Sequence, residues 1–268
     1  MTWPLEPGKL TIELPWRGEM RKNKVKEKLK SGVPSVGTWL NLASPFAAEY
    51  MAHIGWDWLV VDTEHSPIDM ETTACCFQAI CTTDTVPMAR VAWNSPVLMK
   101  RLLDAGAMGL VVPMVNSPEE AEQAVRAMKY PPEGIRSIGG GRCRLYGEDY
   151  RERANEEILV IVQIEHIDAV KRAEEILSVK GIDACFIGPN DLAGSMGVRP
   201  GSPEHEEAIQ AILRAAKNKG VAPGIHVFSA EDANRRIEQG FLFIAVSSDV
   251  GFLTSAARST FERIRARR

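Results

Sequence analysis

The segment W-L-V-V-D-T-E-H-S-P, residues 58–67, ends an apolar run in Asp62, Glu64 and His65. A strand buried on both faces gains nothing from titratable groups at its end unless that end opens onto water or a site. Farther along, Arg90 closes V-P-M-A-R, Glu165 and His166 close I-L-V-I-V-Q-I-E-H, and Asp191 ends F-I-G-P-N-D. These residue types are chemically coherent. Glu165 and Asp191 offer hard oxygen ligands to a divalent cation such as Mg²⁺ or Mn²⁺, which keeps positions open for water or substrate oxygens. Such a cation chelates a 2-oxo acid and stabilises its enolate as a Lewis acid. Arg90 supplies a fixed positive charge beside the developing oxyanion. His65, with Asp62 three residues before it to orient the imidazole, shuttles protons near neutral pH. No cysteine or second histidine joins the carboxylates, which speaks against structural zinc.

Each residue also has a plainer reading. Arg90 pairs with a carboxylate, Glu165 or Asp191 opens a helix, and His65 is a hydrogen-bonded rim histidine. All of these would have to hold at one face together, because the elements that carry the residues place them so. Eight short apolar runs read as strands: S-V-G-T-W-L near Gly37, W-L-V-V-D, V-P-M-A-R-V near Ala89, M-G-L-V-V-P-M near Val111, I-L-V-I-V-Q-I-E, D-A-C-F-I-G, A-P-G-I-H-V near Ile225 and L-F-I-A-V-S-S near Ala245. Between them lie stretches with helical spacing, among them P-E-E-A-E-Q-A-V-R-A-M-K and H-E-E-A-I-Q-A-I-L-R-A-A-K-N-K, the latter followed by a capping glycine, Gly220. That alternation predicts an α/β protein, a single (β/α)8 TIM barrel, whose reactive groups gather at the C-terminal ends of the strands. A doubly wound open sheet is the alternative, but G-x-G-x-x-G is missing after the first strand. Residues 1–22, broken by Pro4, Pro7 and Pro15, read as an irregular leader, and residues 23–268 as the barrel.

Composition narrows the class. At 268 residues, 45% apolar and 25% charged, with net charge −3, the chain is an ordinary globular protein with no global field favouring nucleic acid or acidic lipid. The run R-K-N-K-V-K-E-K-L-K holds six basic residues, and it reads as a solvated surface helix with only Val25 and Leu29 on its apolar face. Five cysteines form neither a zinc pattern nor an even disulfide framework. No window approaches the roughly 18 apolar residues of a membrane span, and the first residues lack the basic start and apolar core of a signal peptide. The expectation is a cytoplasmic protein with no nucleic-acid or membrane partner.

Five ordered segments carry a resemblance: W-D-W-L-V-V-D-T-E-H-S-P, K-R-L-L-D-A-G-A-M-G-L-V-V-P-M-V, Y-P-P-E-G-I-R, V-Q-I-E and F-I-G-P-N-D-L-A-G-S-M-G. From about Lys24 onward the chain resembles the HpcH/HpaI aldolase family of class II pyruvate aldolases. The resemblance implies that His65 is the catalytic histidine, Arg90 the transition-state arginine, and Glu165 and Asp191 the ligands of Mg²⁺ or Mn²⁺, with Co²⁺ possible. It further implies that Gln163, Gly188, Pro189, Asn190 and Asp191 line the pyruvate subsite. Asp104, in L-L-D-A-G, matches an acid that supports the histidine's basicity across a subunit boundary. A homo-hexamer built as a trimer of dimers with exchanged terminal helices is implied as well, and G-F-L-T-S-A-A near Phe252 suits such helix packing or ordinary packing within the chain.

The implied reaction is reversible, metal-dependent cleavage of a 4-hydroxy-2-oxo acid to pyruvate and an aldehyde. Its rivals are an oxaloacetate-type decarboxylase, a CoA-thioester lyase, and a non-catalytic barrel binding a 2-oxo acid, the last disfavoured because binding needs no proton shuttle. The chain departs from better-known members in G-I-R-S-I-G-G-G-R-C-R-L-Y-G-E-D-Y, residues 134–150. The expectation is that this loop overhangs the mouth, where Arg142 and Arg144 either read a charged aldehyde or make ion pairs.

Overall fold

The computed structural model describes residues 18–264. Eight parallel strands close into a barrel in chain order: β1 Ser35–Leu40, β2 Trp58–Asp62, β3 Val86–Arg90, β4 Gly109–Val112, β5 Leu159–Ile164, β6 Ala184–Ile187, β7 Ala222–Val227 and β8 Phe243–Ser248. All eight fall where the apolar runs predict, and helices fill the intervals. The strands are buried almost without interruption, as a sheet covered by helices outside and side chains inside requires. Within the barrel the Trp58 indole stacks on Phe243 at 4.2 Å. Gly37 makes room for it, because a Cβ at that position would fall inside the indole.

The helix boundaries follow from local chemistry. Four helices open on Ser-Pro, with Ser44, Ser95, Ser117 and Ser202 at the N-cap and proline in the first turn. Proline suits that position because its missing N–H is one of the helix's unpaired donors anyway. The helices Pro96–Ala105, Pro189–Met196, Pro203–Lys219 and Ala230–Gln239 stop at glycines in the left-handed conformation, Gly106, Gly197, Gly220 and Gly240.

The basic run does not form a freely solvated helix. It folds as Lys24–Lys30, and it buries Lys26 together with Val25 and Leu29. Lys26 Nζ donates to the Ile158 carbonyl and to Asp183, each at 2.9 Å, and the N-cap Asn23 donates to the Met108 and Glu157 carbonyls. Those partners immediately precede β4, β5 and β6, so the helix plugs the N-terminal end of the barrel. Of the expected leader, residues 1–17 lie outside the described residues, while Met20 and Arg21 pack beneath the barrel. Arg21 donates to the carbonyls of Thr83 and Thr85, just before β3.

Candidate active site

The register of β2 and β3 sets Asp62 beside Arg90. Arg90 grips the carboxylate with Nε at 2.9 Å and Nη2 at 2.6 Å. Asn41 Nδ2 donates to Asp62 from β1's end at 2.8 Å, and the backbone N–H groups of Glu64 and His65 donate at 3.1 and 3.3 Å. Burial alone would push the Asp62 carboxyl up, but the Arg90 hydrogen bonds and charge outweigh it and hold the pKa below the ordinary value. Asp62 therefore does not orient the His65 imidazole, as its spacing suggested. Its lone pairs are taken by the Arg90 fork, Asn41 and the turn itself. The acid nearest the imidazole is Glu64, whose Oε2 lies 3.8 Å from His65 Nε2 and 3.2 Å from Arg90 Nε. Burial raises the Glu64 pKa, opposed by Arg90 and His65 and reinforced by Asp62 and Asp191.

Across the barrel, Glu165 follows β5 and is 4% exposed. Its Oε1 accepts the Met114 N–H at 2.9 Å, and its Oε2 accepts from the Gln163 amide. Met114 has φ 53°, a strained conformation for a residue with a side chain, and it shares this with Ala43 and Ser247 at the ends of β1 and β8. Such strain gathers at functional sites. Gly188, after β6, leaves the space above Glu165 open, because a Cβ there would come within 2.7 Å of Oε2. Burial raises the Glu165 pKa, and the carboxylates of Asp191 and Glu64 raise it further. The Gln163 Oε1 is buried without a partner.

Among the described residues no group of three or more His, Cys, Asp or Glu is gathered around a metal position. The pair Glu165 and Asp191 nevertheless fits a hard cation. The Asp191 carboxylate raises the proton affinity of Glu165, and beside Glu165 sits the orphaned amide oxygen of Gln163. A divalent ion taking its remaining ligands from water and substrate suits that donor set.

A cavity of about 370 Å³ opens at the C-terminal end of the strands, and Asp62, His65, Arg90, Gln163, Gly188, Pro189, Asn190 and Asp191 all line it. The pattern of the HpcH/HpaI aldolase/citrate lyase family matches residues 35–256. The chain belongs to this family. A 4-hydroxy-2-oxo-heptane-1,7-dioate aldolase of Escherichia coli is 42% identical over 252 residues, 91% of this chain and 96% of the relative. The crystal structure of an HpcH/HpaI aldolase/citrate lyase family protein from Burkholderia cenocepacia superposes with a TM-score of 0.87 at 38% identity, covering 91% of this chain and all of that one. An HpcH/HpaI aldolase from Desulfitobacterium hafniense gives a TM-score of 0.85 at 30% identity, covering 91% and 97%. The chain is a carbon–carbon lyase of the aldolase class.

One expectation for this family member needs correction, that for the segment 134–150, whereas Asp104 is expected to act across a subunit boundary. Asp104 is not at the mouth of its own barrel: it ends the helix Pro96–Ala105 at the opposite side, where Arg136 Nη2 donates to it at 2.8 Å. The segment 134–150 also lies at that N-terminal end. Tyr146 OH donates to the carbonyl of Gly106, before β4, at 2.5 Å, and Arg142 Nη1 donates to the Tyr146 hydroxyl at 3.1 Å. Arg144 is exposed nearby, and neither arginine lines the cavity. The residues overlooked in the sequence are Phe186, Gly251 and also Trp39, Asn41, His226, Phe228, Ser247 and Ser248, the last six completing the wall from β7, β8 and β1. The same strand-end rule finds Asn41 and Ser248, but Trp39 and His226 lie within strands and read there as core.

Proposed function

We propose that the protein cleaves a 4-hydroxy-2-oxo acid to pyruvate and an aldehyde, and joins them in reverse. The observation that carries this reading is that Asp191 and the clamped guanidinium of Arg90 line one cavity, with the buried Glu165 carboxylate directly against the lining residues Gln163 and Gly188. Glu165 and Asp191 would hold Mg²⁺, Mn²⁺ or Co²⁺. When bound, the cation supplies Lewis-acid polarisation of the 2-oxo group.

The chain's own residues do the rest. Asp62 occupies Nε and Nη2 of Arg90, which leaves Nη1 without a protein partner among the described residues and free to meet the 2-oxo oxygen as negative charge develops there. His65, exposed at the rim with Glu64 Oε2 3.8 Å from its Nε2, takes the proton from the 4-hydroxyl in cleavage. The helix Pro189–Met196 starts at the cavity, so the backbone N–H groups of Asn190 and Asp191 in its first turn suit the pyruvate carboxylate. Gln163 turns its unpaired Oε1 to the same region.

Asp104, by family resemblance, would serve His65 of a neighbouring subunit, which agrees with its place at the far end of its own barrel. A hexamer with exchanged terminal helices is supported by the helix Asp249–Glu262: Phe252 stacks on Trp56 at 5.9 Å, but residues 252–264 are all exposed. Phe46, Tyr50 and Ile54, 66–69% exposed, add an apolar stripe to the helix Pro45–Ala52 and the turn after it. Five free cysteines and the lack of any described helix able to cross a membrane support a cytoplasmic setting.

The decisive experiment incubates the Mn²⁺- and Mg²⁺-loaded protein with pyruvate and a panel of aldehydes and identifies the adducts. Adducts that vanish with EDTA support the reading. Loss of CO₂ from oxaloacetate with no adduct from any aldehyde would replace it with a decarboxylase.

A further inference from the structure

The cavity has two unlike walls. The ends of β2, β3, β5 and β6 bring charge and amides, whereas β7, β8 and β1 bring Trp39, His226, Phe228 and two serines. Among the described residues neither lysine nor arginine lines this second wall. The Asn41 amide N–H groups there are taken by Asp62 and Ser66, and the nitrogen-bearing rings are Trp39 and His226. Trp39 Nε1 lies 3.0 Å from His226 Nδ1, and β8, which runs between their strands, places only the methyl group of Ala245 in register with His226. An indole N–H donates and never accepts, so Nδ1 must carry the lone pair, and the neutral ring carries its proton on Nε2. Phe228 meets the imidazole edge-on at 4.7 Å and 90°, and Trp39 is itself held beneath the Arg90 guanidinium at 4.7 Å. Nε2 has no hydrogen-bond partner among the described residues, and the ring faces the cavity.

We propose that His226 determines acceptor specificity, presenting Nε2–H to an oxygen carried on the aldehyde's own substituent, so that short hydroxyaldehydes are preferred over alkyl aldehydes of equal size. The proposal rests on the aldolase reading above. Burial first, and then the Arg90 guanidinium, push the His226 pKa down to about 4, which keeps the ring neutral and in this tautomer at neutral pH. A neutral donor in an aromatic wall rewards a hydroxyl and penalises a methyl group in its place, because the buried N–H then loses its partner. It offers no charge to pair with a carboxylate.

Two substitutions separate the ring's two bonds. His226→Asn keeps an acceptor near the position of Nδ1 for Trp39 and removes the donor; His226→Gln places an amide N–H near the position of Nε2 and gives up the Trp39 bond. The readout is the ratio of kcat/KM for glycolaldehyde to that for propanal in Mn²⁺-dependent addition to pyruvate. Differences in intrinsic reactivity cancel between variants, and the ratio does not depend on the folded fraction. His226→Asn should lower the ratio about 5- to 10-fold, the worth of one neutral hydrogen bond, and His226→Gln should leave it near the wild-type value. An unchanged ratio in His226→Asn, or a fall in His226→Gln as large as that in His226→Asn, overturns the assignment. Failure of the aldolase reading shows separately, as a wild-type protein that catalyses no metal-dependent exchange of pyruvate methyl protons in D₂O.

Discussion

Replacing Asp62 by asparagine tests whether this residue anchors Arg90 or serves the histidine. The carboxylate is 1% exposed and accepts five hydrogen bonds, two of them from Arg90. An amide of the same shape keeps one acceptor oxygen, but its NH₂ must face either the Arg90 and Asn41 donors or the backbone N–H groups of Glu64 and His65. The Arg90 side chain, 12% exposed, then loses its principal counter-charge. Removing one partner of a buried pair typically costs about 3–5 kcal/mol. Glu64, 3.2 Å from Arg90 Nε, offsets part of that loss, so about 3 kcal/mol is expected, the low end of that range. For a domain of this size the loss lowers Tm by roughly 6–12 °C. The sign with pH follows from the Asp62 pKa, which lies below its ordinary 3.8 in the folded state. The stabilisation is complete above the unfolded-state value and is lost as pH falls through the folded one. The gap between wild type and Asp62→Asn should therefore be flat from pH 8 to about 4 and close only below it. Melts followed by circular dichroism at one fixed protein concentration measure it. A variant within 1 kcal/mol of wild type whose only change is a displaced pH–rate profile would refute the clamp and restore Asp62 as partner of the imidazole.

Three further outcomes are expected. Glu165→Gln and Asp191→Asn should each abolish aldol cleavage and Mn²⁺ binding while the circular dichroism spectrum is kept, because neutral amides replace hard anionic ligands; full turnover after exhaustive EDTA treatment would contradict the metal site. His65→Ala should cut kcat by roughly 10²- to 10⁴-fold with pyruvate affinity little changed, and a loss of affinity at normal turnover would mean that His65 binds rather than shuttles protons. Arg142→Gln should lower Tm modestly through its lost bond to Tyr146, and a shifted preference between charged and neutral aldehydes would show that this loop reaches an acceptor after all.

The barrel is legible because each strand is a short apolar run cut off by polar residues, and because Ser-Pro starts and glycine stops punctuate the helices between. The charged half of the site is legible for a related reason: a carboxylate or guanidinium at the end of a buried strand is costly unless it is paired or opens onto a site, so Asp62, Arg90 and Glu165 stand out. The other half is hidden. Trp39 and His226 lie inside β1 and β7, where an aromatic or histidine reads as core, and only closure of the barrel brings residues from the first and seventh strands within one hydrogen bond. Pairing roles are equally hard to read, since Asp62 is near His65 in sequence but beside Arg90 in register.

The segment 134–150 shows a different limit. It follows the helix Pro118–Met128 and precedes β5. In a (β/α)8 barrel every connection from helix to strand returns to the N-terminal end, so topology alone forbids this loop from covering its own chain's mouth. The expectation that this loop overhangs a mouth points the other way, and the two are reconciled only if that mouth belongs to another copy. Asp104 sits on the same side, with the backbone of Gly141 packed so closely that a Cβ there would come within 2.5 Å of the Asp104 carbonyl. The acid and the loop therefore travel as one unit, buttressed by Arg136 between the rings of Tyr130 and Tyr150. Whatever surface receives Asp104 in an assembly must receive the glycine triplet with it, so a substitution that displaces Gly141 will disturb both together.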